Sequence, residues 1–543
     1  MEKKKTFIII AVALLVLSIG ITFAYFIAKT GPGSSANANV TTGTVDDLKF
    51  NVSKENISLN INQFNFASGS GNITDTVTAT ASLKANSTKN TATYNYYVYF
   101  QIESNNYVYT TADKKPEIVL SITGPNGEIT SVDGLTYVSA TNADGTVVKG
   151  FDITEKSSSV IKIADSFEIS STSSTNYTNQ DWVFKVSFIN LDTNQADNEG
   201  KILTGKVLIQ SNKLIDSVSD VAKSGDNLVT AIENLSTKSK PSYTGLYHHD
   251  ASLTNGAGDN SYRFAGANPN NYVCFGSDEA TCPTENLYRI IGVIDGKVKL
   301  ILADGATTTM LGTDEGYAKT YQEACGSSSS YYKGNGDLTK IGSYKWNKSG
   351  TNTWSTSTTN TTNLNINFLT YLDGKNAKWK TMIDDTTWYV GGMTQANGVR
   401  KNAKTAYGYE VGTNKNATTT VSTKIGLMYV SEYYYGATPD YWTLPGFNLS
   451  GNDYRKSIND NWLYTGLYEW TISRTSAVSD LAFDVEDGGS VLGDVVAYSN
   501  GYAVRPSFSL SSSIKFTSGE GTAVNPIRLK LWWGDDACLG RKG

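Results

Sequence analysis

Hydrophobic and polar positions alternate through much of the first two hundred residues. Ile57-Ser58-Leu59-Asn60-Ile61 and residues 77–83 place apolar side chains at every second position, and the aromatic run 94–102 continues the pattern. Further apolar runs fall at 117–122, closed by the turn Gly124-Pro125-Asn126-Gly127, and at 160–163, 182–188 and 206–210. Successive side chains of a strand point to opposite faces, so period two marks strands with one buried face. Seven such runs, separated by turn residues, predict an antiparallel β-sandwich, Ig-like or jelly-roll, over residues 46–211.

The period changes at residue 212. Leu214, Ile215, Val218, Val221 and Ala222 recur at helical spacing, and Leu228, Val229, Ile232 and Leu235 do so after Ser224-Gly225. Asp226 is placed to cap the second helix. This predicts a helical connector over 212–241, bounded by Ser239-Lys240-Pro241. Residues 242–530 mix signals, as an α+β domain would. Residues 287–294 and 297–302 form a hairpin around Asp295-Gly296, a pair suited to a turn with positive φ. Residues 424–430 read as a buried strand, and 481–485, 491–498 and 502–510 as the closing strands. The Ser/Thr/Asn-rich stretch 347–365 reads as exposed loop or short helices. The chain is predicted to be mainly β with some α.

An apolar run from Phe7 to Ala28 follows Met1-Glu2-Lys3-Lys4-Lys5. As a helix it spans roughly 33 Å, enough for a hydrocarbon core of about 30 Å. The lysines before it predict a cytoplasmic N-terminus and an extracellular C-terminus. The expectation is a single-pass signal anchor at 1–28, with cleavage near Ala24, and a secreted or wall-associated product, as the alternative. Residues 29–45 read as a flexible tether. Residues 531–543, with Trp532, Trp533 and Cys538, are assigned no role.

Composition narrows the function classes. The 543 residues carry 46 Lys plus Arg against 51 Asp plus Glu, so no basic field favours nucleic acid. Two His and four Cys exclude most zinc sites and dense disulfide scaffolds. Outside the cytoplasm, Cys274 and Cys282 are expected to form a disulfide.

Two stretches carry resemblances. The N-terminal segment, ending in Ala24-Tyr25-Phe26, resembles the signal segments of Gram-positive surface proteins of the TasA and camelysin type. That implies a bacterial envelope protein. Residues 466–474 (Gly-Leu-Tyr-Glu-Trp-Thr-Ile-Ser-Arg), Ala482-Phe483-Asp484-Val485, Gly488-Gly489-Ser490-Val491, residues 502–508 (Tyr-Ala-Val-Arg-Pro-Ser-Phe) and Gly519-Glu520-Gly521-Thr522 form a second series. In order and spacing it resembles the C-terminal core of the formylglycine-generating-enzyme branch of the C-type-lectin fold, as found in surface proteins of gut Firmicutes. The resemblance implies a C-type-lectin-like domain at 242–530.

The chemistry expected of these residues is modest. The enzyme that names this branch uses a cysteine pair near its Trp and Arg core. No Cys lies between Cys325 and Cys538 here, so an enzyme is not expected; a non-cysteine site on the same fold is the alternative. Glu469, Trp470 and Arg505 read as scaffold, with the Arg505 fork free to pair with Glu469. Ligand contacts are expected from loop residues Tyr433, Tyr434, Trp442, Asp487, Asn500 and Tyr502. His248-His249 is a poor chelate, because adjacent residues of a strand face opposite ways. No cofactor is expected. Calcium is a candidate only at Asp192, Asn194, Asp197 and Asn198, whose spacing does not follow an EF-hand; they read as a solvated turn, as do Asp484, Glu486 and Asp487. The reading that results is a cell-surface adhesin binding a glycan or protein without catalysis. A structural fibre or biofilm-matrix subunit, homo-oligomeric through the sandwich, is the alternative.

Overall fold

The computed structural model describes residues 46–61, 73–156 and 158–531, with backbone alone at 327–329. The signal segment, the tether and residues 532–543 lie outside the described residues. Among the described residues, no helix is long and apolar enough to cross a membrane. The chain is mainly β and divides into two compact units, one ending at Leu214 and the other beginning at Ile215.

The first unit holds eleven strands: β1 (Asp47–Val52), β2 (Ile57–Asn60), β3 (Thr74–Lys84), β4 (Ala92–Asn105), β5 (Ile118–Gly124), β6 (Gly127–Glu128), β7 (Thr136–Thr141), β8 (Val147–Asp152), β9 (Ser159–Ser171), β10 (Thr178–Phe188) and β11 (Ile202–Gln210). One sheet runs β1-β3-β10-β5-β8-β7, with β6 paired to β5; the other runs β2-β11-β4-β9. Every pairing is antiparallel. Both sheets feed one core, in which Phe100 of β4 stacks on Phe184 of β10 with ring centroids 5.8 Å apart. Alternation explains the register. In β3, Val77, Ala79, Ala81 and Leu83 are buried while the residues between them are not. Trp182 sits at the centre, its Nε1–H donating to the Tyr96 hydroxyl at 2.9 Å.

The candidate calcium loop belongs to this unit and is wired inward. Asn198 Nδ2 donates to Glu117 Oε2 at 2.7 Å and to the Val108 carbonyl at 2.8 Å. Asn194 Oδ1 accepts the Ala196 N–H. Asp192 takes a left-handed φ of 56° at the turn. These residues shape a turn, and among the described residues no three His, Cys, Asp or Glu side chains come together to hold a metal ion.

The second unit is built on a seven-stranded sheet in the order Leu246–His248, Tyr262–Phe264, Leu287–Ile294, Lys297–Leu302, Ser507–Ser509 and Ile425–Gly426, with Tyr272–Cys274 pairing beside Leu287–Ile294. The central hairpin turns at Asp295 (φ 50°) and Gly296 (φ 70°). A separate three-stranded sheet comprises Glu469–Arg474, Leu481–Val485 and Val491–Val495.

Three expectations are corrected, and a fourth, left open between exposed loop and short helices at 347–365, resolves to short helical segments. The predicted connector is not one. Only a 3-10 turn forms at Val218–Asp220, and the helix Leu228–Lys238 buries Leu228, Ala231, Ile232 and Leu235 in the second unit's core. Its cap is Asn227, whose Oδ1 accepts the Val229 and Thr230 N–H groups, whereas Asp226 Oδ2 accepts the Lys223 N–H one turn earlier. The strand expected at 424–430 shortens to Ile425–Gly426, because Glu410 and Glu432 carboxylates accept the N–H groups of residues 429–431 and start a helix at Val430. The stretch 347–365 is not exposed loop. It enters a π-helical segment at Thr359–Phe368 whose asparagines bond inward, Asn363 Nδ2 reaching the Leu311 and Glu315 carbonyls.

Cys274 and Cys282 are joined in a disulfide. The loop it closes is short, so loop entropy assigns it about 2.5 kcal/mol. Reduction is expected to lower the second unit's melting temperature by several degrees, which melting curves with and without reductant would measure.

Candidate functional site

The closing residues of the second unit separate into two faces. Glu469 pairs with Val485 and bridges to Ala503, while Trp470 pairs with Asp484. Alternation therefore puts Glu469, Ala503 and Arg505 on one side, and Tyr468, Trp470, Asp484 and Tyr502 on the other.

The first side is core. Arg505 is 1% exposed; its Nε–H donates to Glu469 Oε1 at 2.8 Å and its Nη2 to the Leu463 carbonyl at 2.7 Å. Burial pushes the Glu469 carboxyl's pKa up, and Arg505 holds the rise back.

The second side is a half-buried aromatic and acidic patch. The rings of Tyr468 and Tyr502 stack with centroids 5.2 Å apart and planes 19° apart. Tyr498 lies 5.4 Å from Tyr502 on another side, and Trp470 lies 4.7 Å away, its Nε1–H held by the Tyr344 carbonyl. The Tyr502 hydroxyl donates to Asp494 Oδ2. Asp494 pairs with Ala482 in register, so it shares the face of Asp484. Tyr468, Tyr498, Asp494, Glu486 and Asp487 remain partly exposed and open the patch to solvent. Gly501 shapes this turn: its φ is 63°, and a Cβ there would stand 2.6 Å from the Tyr344 backbone.

The expected ligand residues divide accordingly. Tyr502 and Asp487 belong to the patch, Tyr502 as a buried ring only 6% exposed, and the half-buried Asn500 flanks it. Tyr433, Tyr434 and Trp442 do not. All three are fully buried, with their polar atoms committed to the carbonyls of Gly489, Val399 and Ala437. The helix Val430–Tyr435 is buried all round, so its tyrosines are core. Asp484 was expected in a solvated turn, and it is 2% exposed. Tyr468, Tyr498 and Asp494 were not singled out from sequence. The period-two pattern of 482–484 and 492–494 is the signal that places the two aspartates together.

The two histidines face opposite ways. His248 stacks on Tyr262 at 4.3 Å, whereas His249 is buried against Tyr435 and Trp442. His249 Nδ1 accepts the Ala257 N–H at 3.1 Å, which requires a neutral ring. Burial first, then the Arg263 guanidinium, pulls its pKa down to about 3. A base whose folded pKa is depressed binds protons more readily when unfolded. The stability it protects is therefore full at neutral pH and is lost as pH falls from about 6.5 towards 3. At pH 5 the expected loss is about 2 kcal/mol. The stability gap between the protein and His249→Asn, which keeps an acceptor for Ala257, is expected to shrink by that amount from pH 7 to pH 5 in urea denaturation, because Glu410, whose burial raises its pKa to about 7, titrates alike in both.

No family model matches the chain, and no curated protein or solved structure matches it either.

Proposed function

We propose that this is a bacterial cell-surface recognition protein that binds an extracellular glycan or protein without catalysis. In this reading residues 1–28 anchor or export the chain, residues 29–45 tether it, and the sandwich acts as a spacer. The second unit is a C-type-lectin-like head, and its ligand face is the Tyr468/Tyr498/Tyr502 patch. The observation that carries the reading is the tyrosine cluster in which Tyr468 and Tyr498, both partly exposed, pack on the buried Tyr502 and are edged by Asp494 and Asp487. Tyrosine rings offer a rigid, amphipathic contact surface at small entropic cost, and sugars present C–H faces to such rings and hydroxyls to flanking carboxylates.

The test is a glycan array probed with the exported chain, residues 30–543, with and without calcium. Reproducible binding to one glycan class, lost in Tyr498→Ala and Asp494→Asn, supports the reading. Both residues are partly exposed, so the variants are expected to fold. No binding in either condition sinks the glycan version.

One observation favours the fibre alternative. Among the described residues, β9 is a 13-residue edge strand paired only with β4. Its outward residues count against open pairing: Lys162, Asp165 and Glu168 are exposed, and Ser166 kinks the strand at a φ of 55°. Concentration-dependent filaments under the electron microscope would favour the fibre. The enzyme alternative draws no support from Cys325. That thiol is buried with Tyr321, Leu467 and Ala503, and burial raises its pKa, which disfavours the thiolate.

A further inference from the structure

The patch carries more negative charge than an uncharged sugar would need. Four carboxyls converge on it: Asp484, Glu486, Asp487 and Asp494. Asp494 holds the Tyr502 hydroxyl, the Glu486 carboxylate accepts the Ser490 hydroxyl, and the Asp487 main-chain carbonyl accepts the Tyr464 hydroxyl. Asp484 stands apart from them. It is 2% exposed, its Oδ1 has no hydrogen-bond partner, and the register aims it onto the same face as Trp470 and Asp494. Burial pushes the Asp484 carboxyl's pKa well up, and Asp494 and Glu486 add to the rise. Asp484 in turn raises the Tyr502 phenol, which marks the two as neighbours.

Two basic side chains near the group make their hydrogen bonds elsewhere, although the Arg455 guanidinium still holds back the rise of the Glu486 carboxyl. Arg455 forks onto Asp453, at 2.9 Å from Nε and 2.7 Å from Nη2. Lys333 bonds to the Ile458 carbonyl and to Asn459. A buried carboxyl with a free oxygen, beside other carboxyls, is costly unless a positive group compensates it. Tyrosine faces attract the same kind of group through their quadrupole. The four carboxyls do not gather closely enough for a metal ion, since among the described residues no three His, Cys, Asp or Glu side chains come together to hold one.

We propose that the Tyr468/Tyr498 face, built around the buried Tyr502, takes an organic ammonium ion, with the two partly exposed rings packing on its carbon frame, Asp494 and Asp487 supplying the negative field, and the unpartnered Asp484 oxygen standing as an acceptor behind them. The inference rests on the recognition reading above and names its ligand class. Two sources share this chemistry: a de-N-acetylated amino sugar, or a lysyl side chain of a protein.

The test compares four probes against the exported chain by saturation-transfer NMR and titration: glucosamine, N-acetylglucosamine, glucose, and Nα-acetyl-lysine methylamide. Glucosamine binding at least tenfold tighter than the two neutral sugars is the expected result for a glycan source. Binding of the lysine mimic alone also supports the ammonium inference and assigns a protein source. Affinity in either case should fall with added salt, and Asp494→Asn should weaken it about tenfold, with the melting temperature of the variant checking its fold. Neutral sugars binding as tightly as glucosamine would overturn the ammonium inference and leave the recognition reading standing. No binding by any probe would overturn the inference, and the glycan array then decides separately on the recognition reading.

Discussion

Replacing Arg505 by Ala is expected to destabilise the second unit by about 3–5 kcal/mol, the range for breaking a buried ion pair from one side. Glu469, 2% exposed, would be left buried without its counter-ion, whether it stayed charged or took up a proton, and the Leu463 carbonyl would lose its donor. The loss comes from what is left behind more than from the bond removed. Replacing both partners, Glu469→Leu with Arg505→Met, should therefore recover much of the stability. Urea denaturation followed by tryptophan fluorescence is a suitable readout, because nine of the ten tryptophans lie beyond residue 214. A single variant within about 1 kcal/mol of the parent would show that Arg505 is not the keystone of this core.

In the first unit the largest effect is expected at Trp182. Its indole packs edge-on against Phe167 at 5.0 Å, donates to Tyr96, and lies over Gly124, where a Cβ would come within 2.8 Å of the ring. Trp182→Ala opens a cavity bounded by three strands, with an expected cost of about 3–5 kcal/mol. Hydrogen exchange resolved by peptide should show protection in β3, β4 and β10 falling at least about a hundredfold. Peptides of the second unit serve as the internal reference. Unchanged exchange in those strands would contradict the placement of Trp182 at the centre of the sandwich.

The strands of the first unit were legible in sequence because half-buried antiparallel strands print their pleat as period two. β1, β6, β7 and β8 were missed: β1 and β7 lie at the two ends of their sheet and bury little, β6 is two residues long, and in β8 an exposed Val147 beside the buried Val148 blurs the alternation. The connector illustrates a different limit. Helical spacing identified Leu228, Ile232 and Leu235 correctly as one face, but spacing does not say which core that face meets. Val-Ser-Glu-Tyr-Tyr-Tyr at 430–435 misled for a related reason. Hydroxyls and a carboxylate suggest solvent, and here the Glu432 carboxylate and the three tyrosine hydroxyls find partners inside the protein. The patch was half legible. Tyr502 and Asp487 stood out as loop aromatics and acids, whereas Tyr468 and Asp494 acquire meaning only once strand register sets them on one face.

The second unit is also stitched from both of its ends. Gly225 N–H donates to the Phe516 carbonyl and Phe516 N–H to the Asp226 carbonyl; Asn227 Nδ2 reaches the Ser512 carbonyl, and Ile527 exchanges bonds with Tyr272 and Cys274. The Ser507 hydroxyl donates to Leu300, 207 residues earlier. A nascent chain made at about 5–20 residues per second would hold its central hairpin without that neighbour for roughly 10–40 s. Folding of this unit is therefore post-synthetic in character and exposed to holding chaperones. The same stitching brings the unit's opening segment, 225–227, beside residues 512–516 near its end, so a circular permutant opened at an exposed loop should rebuild the same core.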